Sequence, residues 1–403
     1  MRNFISLFSG AGGLDLGLEK AGWDCLFATD NDPVAIATLR ANQGYRLGQG
    51  RRFLHDAIVE CADIRKLSGT EVLDRLGMAR GEVPLLAGGP PCQSWSSGGL
   101  QLGFDDPRGQ LVNHYLRLAE EIDPRFLLFE NVRGLLTARG HDGVPGSALA
   151  LVRQELFARG WQSKVELLNA ADFGIPQRRV RLILMAYREG DETLFPERTH
   201  AIDGRPSQDR WVNLGECLAQ LPPPSPFDVI RPSGKMAMDL QGLAPGSGAK
   251  SQGKKEATRP GGHWGYKQGA FIADLLKPAR TVTASSQQDW ILDADLGLRR
   301  LCPRECAAIQ SFPPEWQFTG NRAAQYRQIG NAVPPALACA LGLALANRSA
   351  ALPFEAKTAG ELAPLPHQLQ SAISYTIREE HRNGESRRAA GIRRPQGRLA
   401  ATF

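Results

Sequence analysis

The sequence contains few cysteines, and no two of them have the spacing of a zinc site. Its seven cysteines are an odd number scattered along 403 residues, and no CxxC pair occurs. Disulfide frameworks are typical of short secreted chains with an even number of cysteines. We therefore expect neither structural disulfides nor a bound metal.

Long apolar runs are also missing. No uninterrupted run approaches the roughly 18–20 apolar residues that cross a bilayer. The first residues, MRNFISLFSG, lack the charged, apolar and cleavage regions of a signal peptide. These absences predict a cytoplasmic protein with no membrane partner. We find no internal repeat.

The excess of positive charge is small and unevenly placed. The net charge is +6, and residues 350–403 carry eight Lys or Arg against five Asp or Glu. The tail therefore holds +3 and the rest of the chain +3. This charge is compatible with a polyanionic partner but does not establish one.

Strand-length apolar segments alternate with helix-length segments in the first half of the chain. The alternation predicts an α/β fold with a doubly wound, mainly parallel sheet that binds ligands at the carboxyl ends of its strands. The predicted strands cover residues 4–8, 23–29, 83–87, 125–129 and 180–186, and the predicted helices cover residues 14–21, 33–42 and 110–121.

Composition divides the chain into four parts. Residues 1–190 are regular, whereas residues 191–280 are rich in Pro, Gly, Ser and charge and predict a second, smaller irregular lobe. Regularity returns in residues 281–350, which end in an apolar helix over residues 335–347. Residues 351–403 include RRAAGIRRPQGR and predict a disordered, dispensable tail.

A loop of small residues lies between the first strand and the first helix. Its sequence, FSGAGG from Phe8 to Gly13, allows a ligand to approach the backbone closely, although a simple tight turn explains it too. Asp30 follows Gly10 by 20 residues, at the end of the next strand, where a carboxylate can bind ribose hydroxyls. Asp63 can accept a hydrogen bond from an adenine amino group, or can cap a helix instead.

A cysteine follows the third predicted strand in the segment GGPPCQSWS. Two prolines fix the backbone before Cys92, which places its thiol where a nucleophile belongs. By contrast, Cys25 and Cys339 lie in apolar segments and predict core packing. Cys302 and Cys306 have helical spacing, but no nearby His or Cys completes a metal site, so we interpret them as structural.

Charged side chains follow or precede two further strands. Glu130 ends an aliphatic strand, where a carboxylate is usually an ion-pair or capping residue unless its surroundings favour the protonated form. Arg179 and Arg181, in QRRVR, lie on one face by the period of two. They are compatible with a solvated edge, a phosphate site or a partner for a thiolate.

These motifs resemble those of the DNA cytosine-5 methyltransferase family of the bacterial restriction-modification type. FSGAGG, GGPPCQSWS, ENV, QRRVR and QIGNAVPP occur in the order and spacing of that family, over residues 4–190 and 280–347. Ser6 departs from many members, which begin the first motif with Asp. The resemblance implies a Rossmann-like methyltransferase fold, S-adenosylmethionine as cofactor and residues 191–280 as a target recognition domain.

The resemblance also implies roles for individual residues. The Cys92 thiolate would add to carbon 6 of a flipped-out cytosine, Glu130 would hydrogen-bond the ring, and Arg179 and Arg181 would support the thiolate. Gln93, Ser96 and Asn131 would shape the substrate pocket. The expected cofactor contacts are Phe8, Gly10, Ala11, Gly12, Gly13, Asp30, Asn31, Asp63, Ile64, Pro91, Leu111, Asn331 and Val333.

The expected partner is double-stranded DNA, with a cognate restriction endonuclease acting separately or, for an orphan enzyme, none. We expect a monomer that associates with the bacterial nucleoid through DNA. Three alternatives remain: a flavin or nicotinamide oxidoreductase, which leaves PPCQ, ENV and QRRVR unexplained; a catalytically silent DNA-binding module; and a methyltransferase acting on RNA.

Overall fold

A computed structural model describes residues 2–91, 111–140, 142–188, 195–249, 270–349 and 361–389. Cys92, Gln93 and Ser96 lie outside these residues. The strands of the described chain are β1 (Asn3–Leu7), β2 (Asp24–Asp30), β3 (Arg46–Gly48), β4 (Arg51–Arg52), β5 (Ile58–Cys61), β6 (Leu85–Gly88), β7 (Phe126–Val132), β8 (Gln162–Asn169), β9 (Val180–Tyr187), β10 (His200–Ala201), β11 (Asp209–Arg210), β12 (Ser247–Gly248), β13 (Phe271–Ile272), β14 (Trp290–Asp293) and β15 (Gly297–Arg300).

Helices connect these strands, and most of them pack on the faces of the main sheet. Two short 3-10 helices, Arg133–Thr137 and Ala170–Phe173, follow β7 and β8. The α-helices are α1 (Gly13–Lys20), α2 (Pro33–Asn42), α3 (Gly69–Leu76), α4 (Leu111–Ile122), α5 (Ser147–Ala158), α6 (Leu214–Leu218), α7 (Gly234–Leu240), α8 (Pro303–Ile309), α9 (Arg322–Asn331), α10 (Pro335–Ser349) and α11 (His367–Ala389).

The main sheet has seven strands in the order β5-β2-β1-β6-β7-β9-β8. The first five strands are parallel, and β9 pairs antiparallel with both β7 and β8. Strand order reverses between β1 and β6, which creates a crevice at the carboxyl ends of these two strands. The predicted doubly wound, mainly parallel α/β fold is therefore confirmed.

Local sequence signals explain several element boundaries. The Asp32 side chain accepts a hydrogen bond from the Val34 amide at 2.9 Å, and Pro33 occupies the first helical position, so α2 begins where predicted. Gly77 adopts a left-handed conformation and ends α3. The sequence did not predict α5 or β8, because their apolar residues lack a clear periodicity.

Side chains of alternate strand residues enter two apolar clusters on opposite faces of the sheet. In β6, Leu85 and Ala87 join one cluster while Leu86 joins the other. The first cluster also contains α1 and α10, which pack against each other. The Trp23 indole, which follows α1, donates a hydrogen bond of 2.9 Å to the Gly342 carbonyl in α10. Helix α10, near the end of residues 281–350, thus packs against α1, the first helix of the chain.

Residues 195–300 form smaller elements beside the main sheet. A four-stranded sheet has the order β12-β13-β14-β15, and Leu240, Ala270, Ile272 and Trp290 form a small apolar cluster on it. Phe271, in the same strand as Ile272, instead joins the main core. This part of the chain is therefore packed onto the main core as well as onto itself.

One described stretch is long and apolar enough to cross a membrane. It covers Arg322–Asn347, and 67% of its most apolar window is buried inside the protein. The stretch contains two helices, α9 and α10, and its polar residues hid it from a search for uninterrupted apolar runs. Its burial against α1 is that of a core element.

The predicted disordered tail is wrong for residues 361–389. These residues contain α11, whose Leu369 is buried and whose Ile373 packs against the core cluster that contains α4 and α5. The Arg153 guanidinium donates a hydrogen bond to the Ala363 carbonyl. Polar composition concealed the few apolar residues that anchor the helix. The remaining tail residues lie outside the described ranges.

We expect Leu369→Ala to lower the free energy of unfolding by about 2–3 kcal/mol, because it removes a buried side chain and leaves a cavity. Tyr375→Ala, in the same helix, is the matched control, since Tyr375 is 41% exposed. Denaturant unfolding of both variants and of the natural chain measures the difference. Equal stability of the two variants would mean that α11 does not brace the core.

Candidate active site

A cavity of about 460 Å³ lies at the carboxyl ends of β1, β2, β6 and β7. This is the crevice created by the reversal of strand order between β1 and β6. Predicted site residues from eight separate chain segments line it. They are Phe8, Gly10, Asp30, Asn31, Asp63, Ile64, Pro91, Leu111, Glu130, Asn131, Arg179, Arg181, Asn331 and Val333.

Two backbone amides hold the Asp30 carboxylate in place, one on each of its oxygens. Its Oδ2 accepts a hydrogen bond from the Gly10 amide at 2.9 Å, and its Oδ1 accepts one from the Asp32 amide at 2.9 Å. Burial raises the pKa of Asp30, while these amide donors lower it. The carboxylate therefore holds the FSGAGG loop against the end of β2 and keeps lone pairs for a ligand.

Ala11, Gly12 and Gly13, which were predicted as cofactor contacts, are not among the residues that line the cavity. The Ala11 carbonyl accepts a hydrogen bond of 3.2 Å from the Trp316 indole. A Cβ atom at Gly13 would lie only 2.2 Å from the carbonyl oxygen of Val333. These small residues are needed for packing, because they let the final motif approach the first.

Asp63 is engaged by a neighbouring side chain. Its Oδ2 accepts hydrogen bonds from Nε and Nη2 of Arg65 at 2.9 and 2.5 Å, and both residues line the cavity. Hydrogen bonds from Arg65 lower the pKa of Asp63 to about 2. The carboxylate therefore faces the cavity as an anion that is already held in one orientation.

Glu130 is buried where β7 reaches the cavity. Its Oε1 lies 3.0 Å from Nε of Arg181, and each side chain is 11% exposed. Burial raises the pKa of Glu130, and the two arginines, Arg181 and Arg179, lower it. Because burial is the larger effect, the site favours retention of a proton on this carboxyl group.

The backbone before Cys92 sits directly on this carboxyl group. A Cβ atom at Gly89 would lie 3.0 Å from Oε2 of Glu130. The Asn131 side chain donates a hydrogen bond of 3.1 Å to the Pro90 carbonyl. The GGPP and ENV segments are thus joined by close contact, so that Gly89 and Pro90 lie beside Glu130 and Asn131.

Arg179 and Arg181 have different surroundings, although both line the cavity. Arg179 is only 1% exposed, and its guanidinium donates hydrogen bonds to the carbonyls of Val282, Gly330 and Ala332 at 3.0, 2.9 and 2.9 Å. Both arginines were predicted to support the thiolate, and the structure shows that their partners differ. Arg181 contacts Glu130, whereas Arg179 holds the final motif in place.

Two buried glutamines, which the sequence did not predict as site residues, extend the hydrogen-bond network of Arg179. Gln177 and Gln310 are both fully buried, and Nε2 of Gln177 lies 2.8 Å from Oε1 of Gln310. Gln310 in turn donates to the Ile329 carbonyl, and the Val282 amide donates to Gln177. Glutamine is ordinarily a surface residue, so composition alone gave no signal for this role.

Known proteins match the part of the chain that supplies the residues lining this cavity. The C-5 cytosine-specific DNA methylase family matches residues 2–347. The chain belongs to this family. It is a DNA cytosine-5 methyltransferase.

Individual relatives match most of the methyltransferase. Type II methyltransferase M1.HphI of Haemophilus parahaemolyticus is 32% identical over 351 residues, which cover 85% of this chain and 86% of the relative. Type II methyltransferase M.PspPI of Psychrobacter sp. (strain TA137) is 33% identical, over 87% of this chain and 80% of the relative. The S. pombe Dnmt2 methyltransferase has a similar fold, with a TM-score of 0.59 at 17% identity, over 87% of this chain and 99% of that one.

A buried carboxylate lies behind the first loop of the methyltransferase. Asp15 accepts a hydrogen bond from the hydroxyl of Ser6, the residue that departs from the usual family motif. The Ser9 hydroxyl, which lines the cavity wall, donates to Ser6 at 2.9 Å. Burial raises the pKa of Asp15 to about 7, against the lowering effect of these hydroxyls.

This pKa makes the stability of the methyltransferase depend on pH. The folded state holds the Asp15 proton more tightly than the unfolded state does. Its contribution to the free energy of unfolding is therefore fully present below the unfolded-state pKa and is lost as the pH rises through the folded-state pKa of about 7. Relative to Asp15→Asn, we expect the natural chain to lose about 2 kcal/mol of unfolding free energy between pH 5 and pH 8. Denaturant titrations at both pH values test this, and parallel behaviour of the two proteins would contradict it. Burial also raises the pKa of Glu19, to about 8, and this effect of burial is common to both proteins because both keep Glu19.

Proposed function

We propose that this enzyme transfers a methyl group from S-adenosylmethionine to carbon 5 of a cytosine flipped out of double-stranded DNA. The observation that carries the proposal is the buried Glu130 with its raised pKa, set between Arg181 and the segment that leads to Cys92. A carboxyl group that keeps a proton can donate it to a heterocyclic ring nitrogen. That is the activation a cytosine ring needs.

The cavity fits a sulfonium nucleoside that carries an amino acid. Its volume of about 460 Å³ is in the range of small-molecule sites, and Phe8, Ile64, Leu111 and Val333 supply apolar walls. The fixed carboxylate of Asp30 is suited to ribose hydroxyls, and the Asp63 carboxylate to the adenine amino group. When bound, the group supplies an electrophilic methyl that carbon 5 of cytosine attacks.

Cys92 acts as the nucleophile toward the cytosine ring. Its thiolate forms a bond to carbon 6, and the ring electrons that move onto nitrogen 3 are matched by a proton from Glu130. Carbon 5 thereby becomes nucleophilic enough to take the methyl group. Nitrogen 3 returns its proton to Glu130 as carbon 5 takes the methyl group, and a water molecule then accepts the proton from carbon 5 while the bond between sulfur and carbon 6 breaks, which restores the ring and the thiolate.

The neighbouring residues hold the reacting groups in position. Arg181 orients the Glu130 carboxyl group through the contact of 3.0 Å, and its positive charge would favour the thiolate form of Cys92. Asn131, bonded to the Pro90 carbonyl, fixes the backbone before Cys92. Gln93 and Ser96 contact the displaced base and its surroundings. A cytosine stacked inside a duplex cannot reach these groups, so the enzyme flips it out.

The biological role of the enzyme is proposed from its similarity to type II methyltransferases. Both relatives named above are type II methyltransferases, so the enzyme acts as the modification component of a restriction-modification system, with an endonuclease as a separate protein. It acts as a monomer in the bacterial cytoplasm and associates with the nucleoid through DNA. Sedimentation of the free protein and bisulfite sequencing of DNA from an expressing host measure these properties.

Residues 191–280 read the DNA sequence. They lie between the QRRVR strand and the final motifs, and their described residues belong to small elements outside the seven-stranded sheet. Basic and aromatic residues of this lobe can contact phosphates and base edges. The candidates for these contacts lie outside the described residues and are Lys254, Lys255, Arg259, His263, Trp264, Tyr266 and Lys267.

Exchange of residues 191–280 for those of a relative with a different target tests this role. The hybrid is expected to methylate the relative's sequence, because the catalytic residues stay unchanged. Genome-wide bisulfite sequencing identifies the methylated cytosines. An active hybrid that keeps the original target would place the reading determinants elsewhere in the chain.

Covalent trapping tests the chemical mechanism. Duplex DNA with 5-fluorocytosine in the target site is expected to become attached to the enzyme in the presence of S-adenosylmethionine, because fluorine cannot leave carbon 5 as a proton does. Cys92→Ala is expected to abolish the attachment. Glu130→Gln is expected to slow it by at least about 100-fold, since the amide cannot supply the proton.

The controls separate chemistry from folding. Both variants are expected to bind S-adenosylmethionine in calorimetry with nearly natural affinity and to unfold at nearly the natural temperature. Cys217→Ala is the matched cysteine control, because this buried thiol lies away from the cavity. A Cys92→Ala protein that still methylates DNA at the natural rate would refute the mechanism.

A further inference from the structure

The C-terminal helix α11 lies outside the part of the chain that matches the methylase family, which ends at residue 347. None of its described residues lines the cavity, and the proposed mechanism gives it no role. Contacts with the core nevertheless fix where α11 begins and in which direction it runs.

The segment before α11 is held at the end of the sheet opposite to the cavity. Gln162, the first residue of β8, donates a hydrogen bond of 2.8 Å to the Glu361 carbonyl and accepts one of 3.3 Å from the Ala363 amide. Gln162 lies opposite Tyr187 of β9, which also pairs with Phe126, the first residue of β7. The segment is therefore level with the beginning of β7.

The helix itself runs toward the end of the sheet at which the cavity lies. Because α5 leads into the first residue of β8, α5 begins near the carboxyl end of β7. A Cβ atom at Gly146, directly before α5, would lie 3.0 Å from Cγ2 of Ile373. The Gly146 amide donates a hydrogen bond of 3.0 Å to the Ala138 carbonyl, just after the 3-10 helix that follows β7. Ile373 is thus level with the carboxyl end of β7.

The rest of α11 continues in the same direction. The 16 helical residues after Ile373 add a length of about 24 Å at 1.5 Å per residue. Since the cavity lies at the carboxyl ends of the strands, a duplex that presents a cytosine to it approaches this same end of the sheet. At 3.4 Å per base pair, the added length corresponds to about seven base pairs.

Positive charge is concentrated in this part of the chain. Residues 378–403 contain seven Arg and three Glu, with no Lys or Asp, so they carry +4 of the net charge of +6. Arg378 and Arg382 are exposed, and Arg382 pairs with Glu379. Among the residues that the structure describes, Arg378 has no side-chain partner. Exposed arginines beside a duplex bind its phosphates without reading its bases.

We propose that residues 378–403 form an additional DNA-binding arm that contacts phosphates outside the target site. The inference rests on the proposed function, which places the target cytosine in the cavity. The arm adds a contact that is independent of base sequence to a chain whose other residues carry only +2. It raises the affinity for duplex DNA and takes no part in the chemistry.

A chain that ends at Ile377 tests the arm, because it keeps Leu365, Leu369 and Ile373, which pack against the core. Fluorescence anisotropy with a labelled duplex of about 30 base pairs measures affinity over a range of salt concentrations. We expect the shortened chain to bind about 10-fold more weakly near 0.1 M salt. We also expect its plot of log affinity against log salt concentration to be shallower by about 2 or more, since each phosphate contact contributes about 0.9. Its melting temperature and its affinity for S-adenosylmethionine are expected to stay natural.

Point variants separate a phosphate contact from a general effect of charge. Arg378→Gln removes one charge of the arm, and we expect it to reduce the salt slope by about 0.9. Arg80→Gln is the matched control, because Arg80 pairs with Asp123 just before β7, at the opposite end of the sheet. We expect its salt slope to equal that of the natural chain. Equal reductions in the two variants would overturn the proposal.

The proposal is also overturned if the chain ending at Ile377 keeps the natural affinity and salt slope, or if its loss of affinity does not depend on salt. Should that chain fail to fold, Arg378→Gln and Arg80→Gln decide the question, because both keep the whole of α11. A natural chain that binds no duplex would refute the proposed function. Equal binding by the natural and shortened chains would refute only the arm.

Discussion

The buried Arg179 guanidinium binds three main-chain carbonyls that lie 103, 151 and 153 residues further along the chain. A charge removed from water needs compensating dipoles, and these carbonyls supply them. The planar fork of arginine fits several carbonyls at once, which the single ammonium of lysine does not. The positions of Asn331 and Val333 in the cavity wall follow from this arrangement, because they lie beside two of the bonded carbonyls.

The burial of Glu130 in the candidate site depends on the same organisation. Glu130 stays buried because β9 covers β7 on one side and the GGPP segment covers it on the other. Two arginines of the QRRVR segment have different partners. Arg179 binds the carbonyls that hold the final motif in the cavity wall, and Arg181 contacts the Glu130 carboxyl group. Burial and positive charge act in opposite directions on the pKa of Glu130, and a proton on that group is what the proposed chemistry requires.

The α/β fold and the placement of the motifs at the ends of strands could be predicted from the sequence, because both depend on local patterns of apolar residues. The helix over residues 33–42 was predicted with its observed bounds, because a capping Asp32 and Pro33 mark its beginning. The different surroundings of Arg179 and Arg181 could not be predicted, because the carbonyls that bind Arg179 lie more than 100 residues away in the chain. The burial of Gln177 and the anchoring of α11 have the same cause: each rests on tertiary contacts that composition does not reveal.

The contact of Gly13 with the Val333 carbonyl sets an order of events during protein synthesis. At about 5–20 residues per second, roughly 20–60 s separate the translation of these two residues. During that interval the glycine turn has emerged while the segment that covers it does not yet exist, and the Trp23 indole still lacks its Gly342 partner. A nascent chain therefore carries the first motif without a finished cavity, and the cavity wall cannot be completed until translation has passed the final motif.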